Sequence, residues 1–242
     1  TIESSRIERA SMSKRNLIAR PLASSDLEAW DALAAKHGTL FESARWTNLL
    51  GPDLHRIGIY DAGGVLRGGF SFFEQRKFGL RILRNPPYTP HGGPFYEPRA
   101  SNPAARTDEQ RDVVETMAEY LAARHAALVT FGLSLGISDC LPFYWRGWKV
   151  VPRYTYRLDL KQEVSSLLGA MSPSQRSHIR KSAQEGLSVE AVADPAELKA
   201  LVDKTYARQK QTYARSLIED IFTAFPAKHC GYCCLARKNQ QP

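Results

Sequence analysis

Residues 85–94 read Asn-Pro-Pro-Tyr-Thr-Pro-His-Gly-Gly-Pro, four prolines and two glycines in ten positions. Neither a helix nor an inner strand can pass through such a run, because each proline lacks the amide that a hydrogen-bond ladder needs. The chain must therefore build its fold from patterned segments on either side of an irregular connection. Before that connection, 16–22 is strand-like. Ser24 or Ser25 then offers an N-cap, and Leu27, Trp30, Leu33 and Ala34 recur at helical spacing until Lys36-His37-Gly38 closes the helix. A short helix is expected over about 44–50. Residues 55–60 and 65–74 read as a β-hairpin about Asp61-Ala-Gly-Gly64, and 76–83 adds a further strand. After the connection, Val113, Val114, Met117, Tyr120 and Leu121 mark a helix over 107–125. Residues 127–133 look like a buried strand, and 150–160 is a strand of alternating character.

The second half repeats this grammar. A short helix over 164–171 is followed by Ser172-Pro-Ser-Gln175, which opens another with Ser at the N-cap, Pro at the first position and Gln at the third. That helix runs to Glu185 and stops at Gly186. Residues 187–193 form a strand, Asp194-Pro195 caps a helix carrying Leu198, Leu201, Val202 and Tyr206, a further helix covers about 216–225, and 230–237 closes the pattern as a strand. The run Leu17…Ala23-Ser24…Leu27 is echoed 170 residues later by Leu187…Ala193-Asp194…Leu198, a strand, a capping residue and a helix in each copy. The expected fold class is mixed α/β (α+β). Residues 1–15 form a flexible N-terminal segment with Met12 as the natural start, 16–152 a first unit and 153–242 a second, partial unit lacking its later strands.

Composition narrows the classes. With 33 Lys+Arg against 25 Asp+Glu in 242 residues the net charge is +8, and 43% hydrophobic residues give an ordinary globular balance, which excludes a disordered, collagenous or disulfide-scaffold chain. The longest run free of charge and His, 126–138, is too short for a membrane span. Cysteines at 140, 230, 233 and 234 include one CxxC. A tetrahedral zinc site needs four ligands, so the segment is read as a strand of small, soft side chains and the chain as cytoplasmic. The six His show no metal-binding pairing, and no P-loop, GxGxxG or GxSxG is present.

Three places can carry chemistry. In the loop 85–98, glycine lets backbone approach a ligand while Tyr88 and His91 offer stacking and hydrogen bonds. Both are expected to line a cleft between the units. Arg176, Arg180 and Lys181 make the helix over 172–185 basic, and Arg176 and Arg180 stand four apart on one face. Arg215 precedes Ser216, a candidate N-cap, and a guanidinium beside a helix N-terminus makes an anion site.

These residues, in this order, resemble the FemABX-type acyltransferases of the GNAT superfamily. The resemblance rests on Arg153-Tyr-Thr-Tyr-Arg-Leu-Asp-Leu160, Met171…Arg176…Ile179-Arg-Lys181…Gly186-Leu-Ser-Val189, the loop PPYTPHGGP and Phe41-Glu-Ser-Ala-Arg-Trp46, and spans roughly 16–237. It implies two tandem GNAT-like units with mixed sheets, the second incomplete. It also implies transfer of an acyl or aminoacyl group to an amine in cell-envelope or peptidoglycan-precursor biosynthesis. The donor would be aminoacyl-tRNA or acyl-CoA, with no bound cofactor, and the acceptor an anionic small molecule or peptidoglycan precursor. Arg215 matches the arginine that holds the precursor's diphosphate, and Trp46 matches a tryptophan followed one turn later by a lysine, which here is Leu50. Gly132-Leu133 stand where the family carries an Asp-Pro whose Asp is a candidate base, and Arg76-Lys-Phe-Gly79-Leu-Arg81 fails the CoA-loop pattern at its last position. The alternatives are a non-catalytic anion-binding domain that kept the fold and lost the base, and a nucleic-acid-binding domain.

Overall fold

The computed structural model describes residues 17–192, 195–225 and 233–238. Residues 1–15 with Met12, the cap Asp194, and His229 and Cys230 of the CxxC segment lie outside them. The chain divides into two compact units, with the boundary between Val151 and Pro152.

In the first unit, β1 (Ile18–Pro21), α1 (Leu27–His37), α2 (Ala44–Thr47), β2 (Leu54–Tyr60), β3 (Leu66–Lys77), β4 (Leu80–Arg84), β5 (Phe95–Tyr96), α3 (Pro103–Ala122), β6 (Leu128–Thr130) and α4 (Leu141–Trp145) follow in order. The sheet runs β1-β2-β3-β4-β6, with β5 also on β3. Its pairs are antiparallel except β4 with β6, which is parallel. A parallel pair needs a long crossover, and α3 supplies it. Asn102 starts α3 four residues earlier than Thr107, by accepting from the Ala105 amide at 2.9 Å, with Pro103 at the first position. Alternation then sorts the faces. Phe70, Phe72, Ile57, Ile59 and Leu83 pack with Val113, Val114, Met117, Ala118 and Leu121 of α3. Trp30 and Ala34 of α1 pack with Tyr60, Leu66 and Phe95, the Trp30 ring edge-on to Phe95 at 4.7 Å.

The irregular loop is threaded into this sheet. The Gly92 carbonyl accepts from the Ser71 amide of β3 at 2.7 Å, the Gly92 amide donates to the Gly132 carbonyl at 3.2 Å, and the Ser134 amide donates to Gly93 at 3.0 Å. Residues 90–94 thus lie between β3 and 131–134, in the place a strand would take once β4 has ended. The glycines serve this approach rather than a ligand: a Cβ at Gly92 would stand 2.2 Å from the Ser71 carbonyl oxygen, and one at Gly132 2.4 Å from that of Pro90.

Three strand expectations are corrected. Residues 76–83 are a hairpin in which Phe78 and Gly79 turn at φ 51° and 77°, so β3 is longer and β4 separate. The 127–133 strand shrinks to β6, whose Leu128 is 53% exposed, because the chain leaves β4 after Thr130. Residues 150–160 form no strand. Their alternation needs a partner ladder, and Tyr154 and Tyr156 stand 92% and 98% exposed without one.

The second unit contains α5 (Val164–Ala170), α6 (Pro173–Gln184), β7 (Leu187–Val192), α7 (Pro195–Gln209), α8 (Arg215–Ala224) and β8 (Cys233–Lys238). The Ser172 capping box forms as the sequence predicts, Ser172 Oγ accepting from the Gln175 amide and Gln175 Oε1 from the Ser172 amide. β7 and β8 pair antiparallel from Leu187↔Lys238 to Val192↔Cys233. The order β7-α7-α8-β8 repeats β1-α1-α2-β2, with first and last strand antiparallel in each. The chain is thus a mixed α/β protein.

Candidate functional site

The one sequence-predicted group that the first unit gathers is Trp46 and His91, and Glu42 joins them. Thr39-Leu-Phe-Glu42 forms a capping box at a single helical turn. Glu42 Oε2 accepts from the Thr39 amide at 2.8 Å and the Thr39 hydroxyl at 2.7 Å, while Trp30 Nε1 donates to the Glu42 carbonyl at 2.6 Å. The carboxylate is fully buried, and its other oxygen lies 2.9 Å from Nδ1 of His91. A carboxylate only accepts, so Nδ1 carries the proton in this contact, and Nε2 is the nitrogen that holds the lone pair whenever the imidazole is neutral. The imidazole retains 9% of its side-chain surface. Trp46, at the centre of α2, donates from Nε1 to Thr89 Oγ1 at 3.0 Å, and Phe41 stands edge-on to both the Trp46 and His91 rings at 5.1 and 5.4 Å.

His91 therefore sits buried within the first unit, held by Glu42. Tyr88 is more open, with φ 54°, a left-handed backbone that a tyrosine seldom adopts. Glu42 escaped the sequence reading, although its signal, a Thr followed three residues later by Glu, stood in the segment already matched for Trp46.

The basic residues of the second unit are not gathered. Arg215 is the first residue of α8, whose N-cap is Ala214 and not Ser216. Its guanidinium grips Asp203 with two bonds, Nε to Oδ1 at 3.1 Å and Nη2 to Oδ2 at 2.7 Å, and the Tyr213 hydroxyl donates to the same carboxylate. The Tyr213 and Arg215 bonds hold the Asp203 carboxyl below its usual range, and Asp203 in turn raises Arg215. Any anion at Arg215 must compete with Asp203. Arg176 donates to the carbonyls of Gly169 (3.1 Å) and Met171, closing the end of α5. Arg180 and Lys181 are exposed, with Lys181 3.8 Å from Glu185.

Elsewhere in the first unit, a concavity of about 330 Å³ is lined by Arg67, Tyr96, Glu97, Arg99, Glu109 and Asp112 among others. Its charges answer one another. Arg67 donates to Glu97 at 2.8 Å and lowers that carboxyl, Glu109 Oε2 accepts the Arg99 and Ala100 amides at 2.9 Å each, and burial raises the Tyr96 phenol. Among the described residues no His, Cys, Asp and Glu cluster could hold a metal ion, and no helix is long and apolar enough to cross a membrane.

No family model and no curated protein matches the chain. Solved structures similar to it include a ribosomal-protein-alanine N-acetyltransferase from Brucella melitensis biovar Abortus, 13% identical over 60% of this chain and 99% of that one, with a TM-score of 0.38. Another is a mutant of the BH1408 protein from Bacillus halodurans, 12% identical over 59% of this chain and 99% of its own, with a TM-score of 0.34.

Proposed function

We propose that the protein transfers an acyl or aminoacyl group to an amine, in the cytoplasm, within cell-envelope or peptidoglycan-precursor biosynthesis. The observation that carries the reading is the imidazole of His91, whose Nδ1 is held at 2.9 Å by the buried Glu42. Amine acylation needs a group that removes the proton as nitrogen attacks the carbonyl. Nε2 of His91 takes that proton, the carboxylate of Glu42 orients the ring and stabilises the resulting imidazolium, and the proton passes to the departing tRNA hydroxyl or CoA thiolate as the donor's ester or thioester bond breaks. This answers the departure at Gly132, where the resemblance would put a carboxylate. The donor is aminoacyl-tRNA or acyl-CoA, and the acceptor is anionic, with Arg215 released from Asp203 to meet it and Arg176, Arg180 and Lys181 adding positive field. Tyr88 and Trp46 line the amine's approach.

The test is acyl transfer from each donor to amine acceptors, with and without a diphosphate. His91→Ala should lower kcat by about a hundredfold or more. Glu42→Gln should lower it less and displace the pH profile, since Glu42 acts through His91. Unchanged turnover in His91→Ala would end the proposal.

Gly132 and Leu50 favour a second reading, a non-catalytic anion-binding domain. Position 132 has no room for a side chain beside Pro90, and Leu50 is buried. On that reading wild type binds a nucleotide-diphosphate-linked precursor, Arg215→Ala binds it at least about tenfold more weakly, and neither donor is consumed.

A further inference from the structure

The turn between β3 and β4 breaks the usual chemistry of a two-residue hairpin. Both central residues have positive φ, a geometry that selects Asn-Gly or Asp-Gly, yet the first of them is Phe78. A bulky residue in the left-handed region is an outlier, and such outliers concentrate where a surface has work beyond folding. Packing does not account for this one, because Phe78 is 93% exposed.

Register shows what accompanies it. Lys77 pairs with Leu80 and Gln75 with Ile82, while Ile82 pairs across β4 with Leu128 of β6. Paired residues share a face, so Leu80, Ile82 and Leu128 form an apolar strip leading to Phe78. Leu80 and Leu128 are more than half exposed and Ile82 partly so. The strip lies on the face opposite Phe70, Phe72 and Leu83. Lys77, exposed, shares the strip's face with its ammonium 5.6 Å from the Phe78 ring centre, as does Arg84 over the Phe73 ring at 5.9 Å, and the exposed Arg76 borders the tip from the opposite face. Residues 73–84 contain four Arg or Lys and one acid, Glu74, which Arg81 engages at 3.0 Å.

From this arrangement we infer that the β3–β4 hairpin is a docking tip for the surface of an anionic lipid bilayer. An aromatic ring and aliphatic side chains at a protruding turn enter the headgroup boundary, and the basic residues beside them meet anionic lipid. Long Arg and Lys side chains keep their charge in water while their stems follow the apolar strip down. The two aliphatic leucines favour lipid over nucleic acid, because a base needs a flat partner to stack on, and Phe78 is the only ring at the tip. The inference does not depend on the acyl-transfer reading, and it requires no membrane-spanning helix.

Cosedimentation of the full chain with vesicles of phosphatidylcholine alone, and of phosphatidylcholine with an equal share of phosphatidylglycerol, tests it. The protein should pellet with the anionic vesicles and much less with the neutral ones, and rising salt should release it. Phe78→Ser should lower the partition coefficient about threefold to tenfold, and Arg76→Glu with Lys77→Glu at least tenfold, each with an unchanged circular dichroism spectrum. Tyr156→Ser, which removes a ring of equal exposure elsewhere, should leave partition unchanged. Failure to pellet, equal binding to both vesicles, equal loss in Tyr156→Ser and Phe78→Ser, or retention on single-stranded RNA without vesicle binding would each overturn the inference. Because none of these readouts involves acyl transfer, the inference and the proposed reaction fail separately.

Discussion

The two units open with the same sentence and finish it differently. Each lays down a strand, two helices and an antiparallel strand. The first goes on to β3, β4 and β6 and packs α3 against one face of its sheet and α1 against the β2, β3 and β5 part of the other. Among the described residues, the second has a two-stranded ribbon in which Leu235 is the buried side chain, with Leu217, Ile218 and Phe225 buried from α8 and the residue after it. Ion pairs at its surface also join its elements, Arg215 with Asp203, and Arg237 of β8 with Glu190 and Glu197. A shared local grammar therefore does not bring shared stability. A two-stranded ribbon is marginal in water, and surface ion pairs add little, whereas buried apolar area is what separates the first unit from it.

The comparison breaks most easily in the cores. Phe72→Ala, at a fully buried site on β3 facing α3, should cost about 3–5 kcal/mol, and Leu235→Ala only about 2 kcal/mol, the low end for a buried leucine. Denaturant unfolding followed separately in the two units checks both, and equal costs would erase the distinction. Hydrogen exchange sharpens it further: amides in the β2–β3 ladder should outlast those in β7–β8 under native conditions. Next in size is Gly132→Ala. Its new methyl group meets the Pro90 carbonyl oxygen at 2.4 Å, so the backbone must move, at about 1–3 kcal/mol, and the melting temperature of the first unit alone should fall. The smallest effect belongs to acid. Because the Asp203 carboxyl is depressed in the folded state, its contribution is fully present above about pH 3.9, the unfolded value, and is lost as pH falls through the lower folded value. Protection factors in α7 and α8, corrected for the intrinsic slowing of amide exchange in acid, should therefore fall below about pH 4, and Asp203→Asn should remove that acid dependence.

What could be read in advance was what is local. Ser172-Pro-Ser-Gln175 announces its helix because cap, first position and third position lie within four residues. The alternation over 150–160 says which side chains would share a face if a partner existed, but a partner is a distant stretch of chain, and among the described residues none is paired with it. The turn inside 76–83 carries no sequence mark, because Phe78-Gly79 lacks the Asn or Asp that signals a tight turn. For the site, His91 stood out by chemistry, while its role as Glu42's partner depends on a contact across 49 residues. Glu42 itself was legible only as a capping residue. Arg215 was correctly seen near a helix start, yet Asp203, which occupies it, lies one helix earlier and carries no local mark.

Loops usually absorb changes in chain length, since an extra residue or two at the surface adds little closure entropy. The segment threaded between β3 and residues 131–134 has lost that freedom. Gly92 is bonded on one side to Ser71 and on the other to Gly132, so adding a single residue between Thr89 and Pro94 would slide one set of bonds out of step with the other. The same slide would carry His91 away from Glu42, which is fixed in its own capping box. In this part of the molecule, the stretch with the least regular structure is therefore the one least able to change its length.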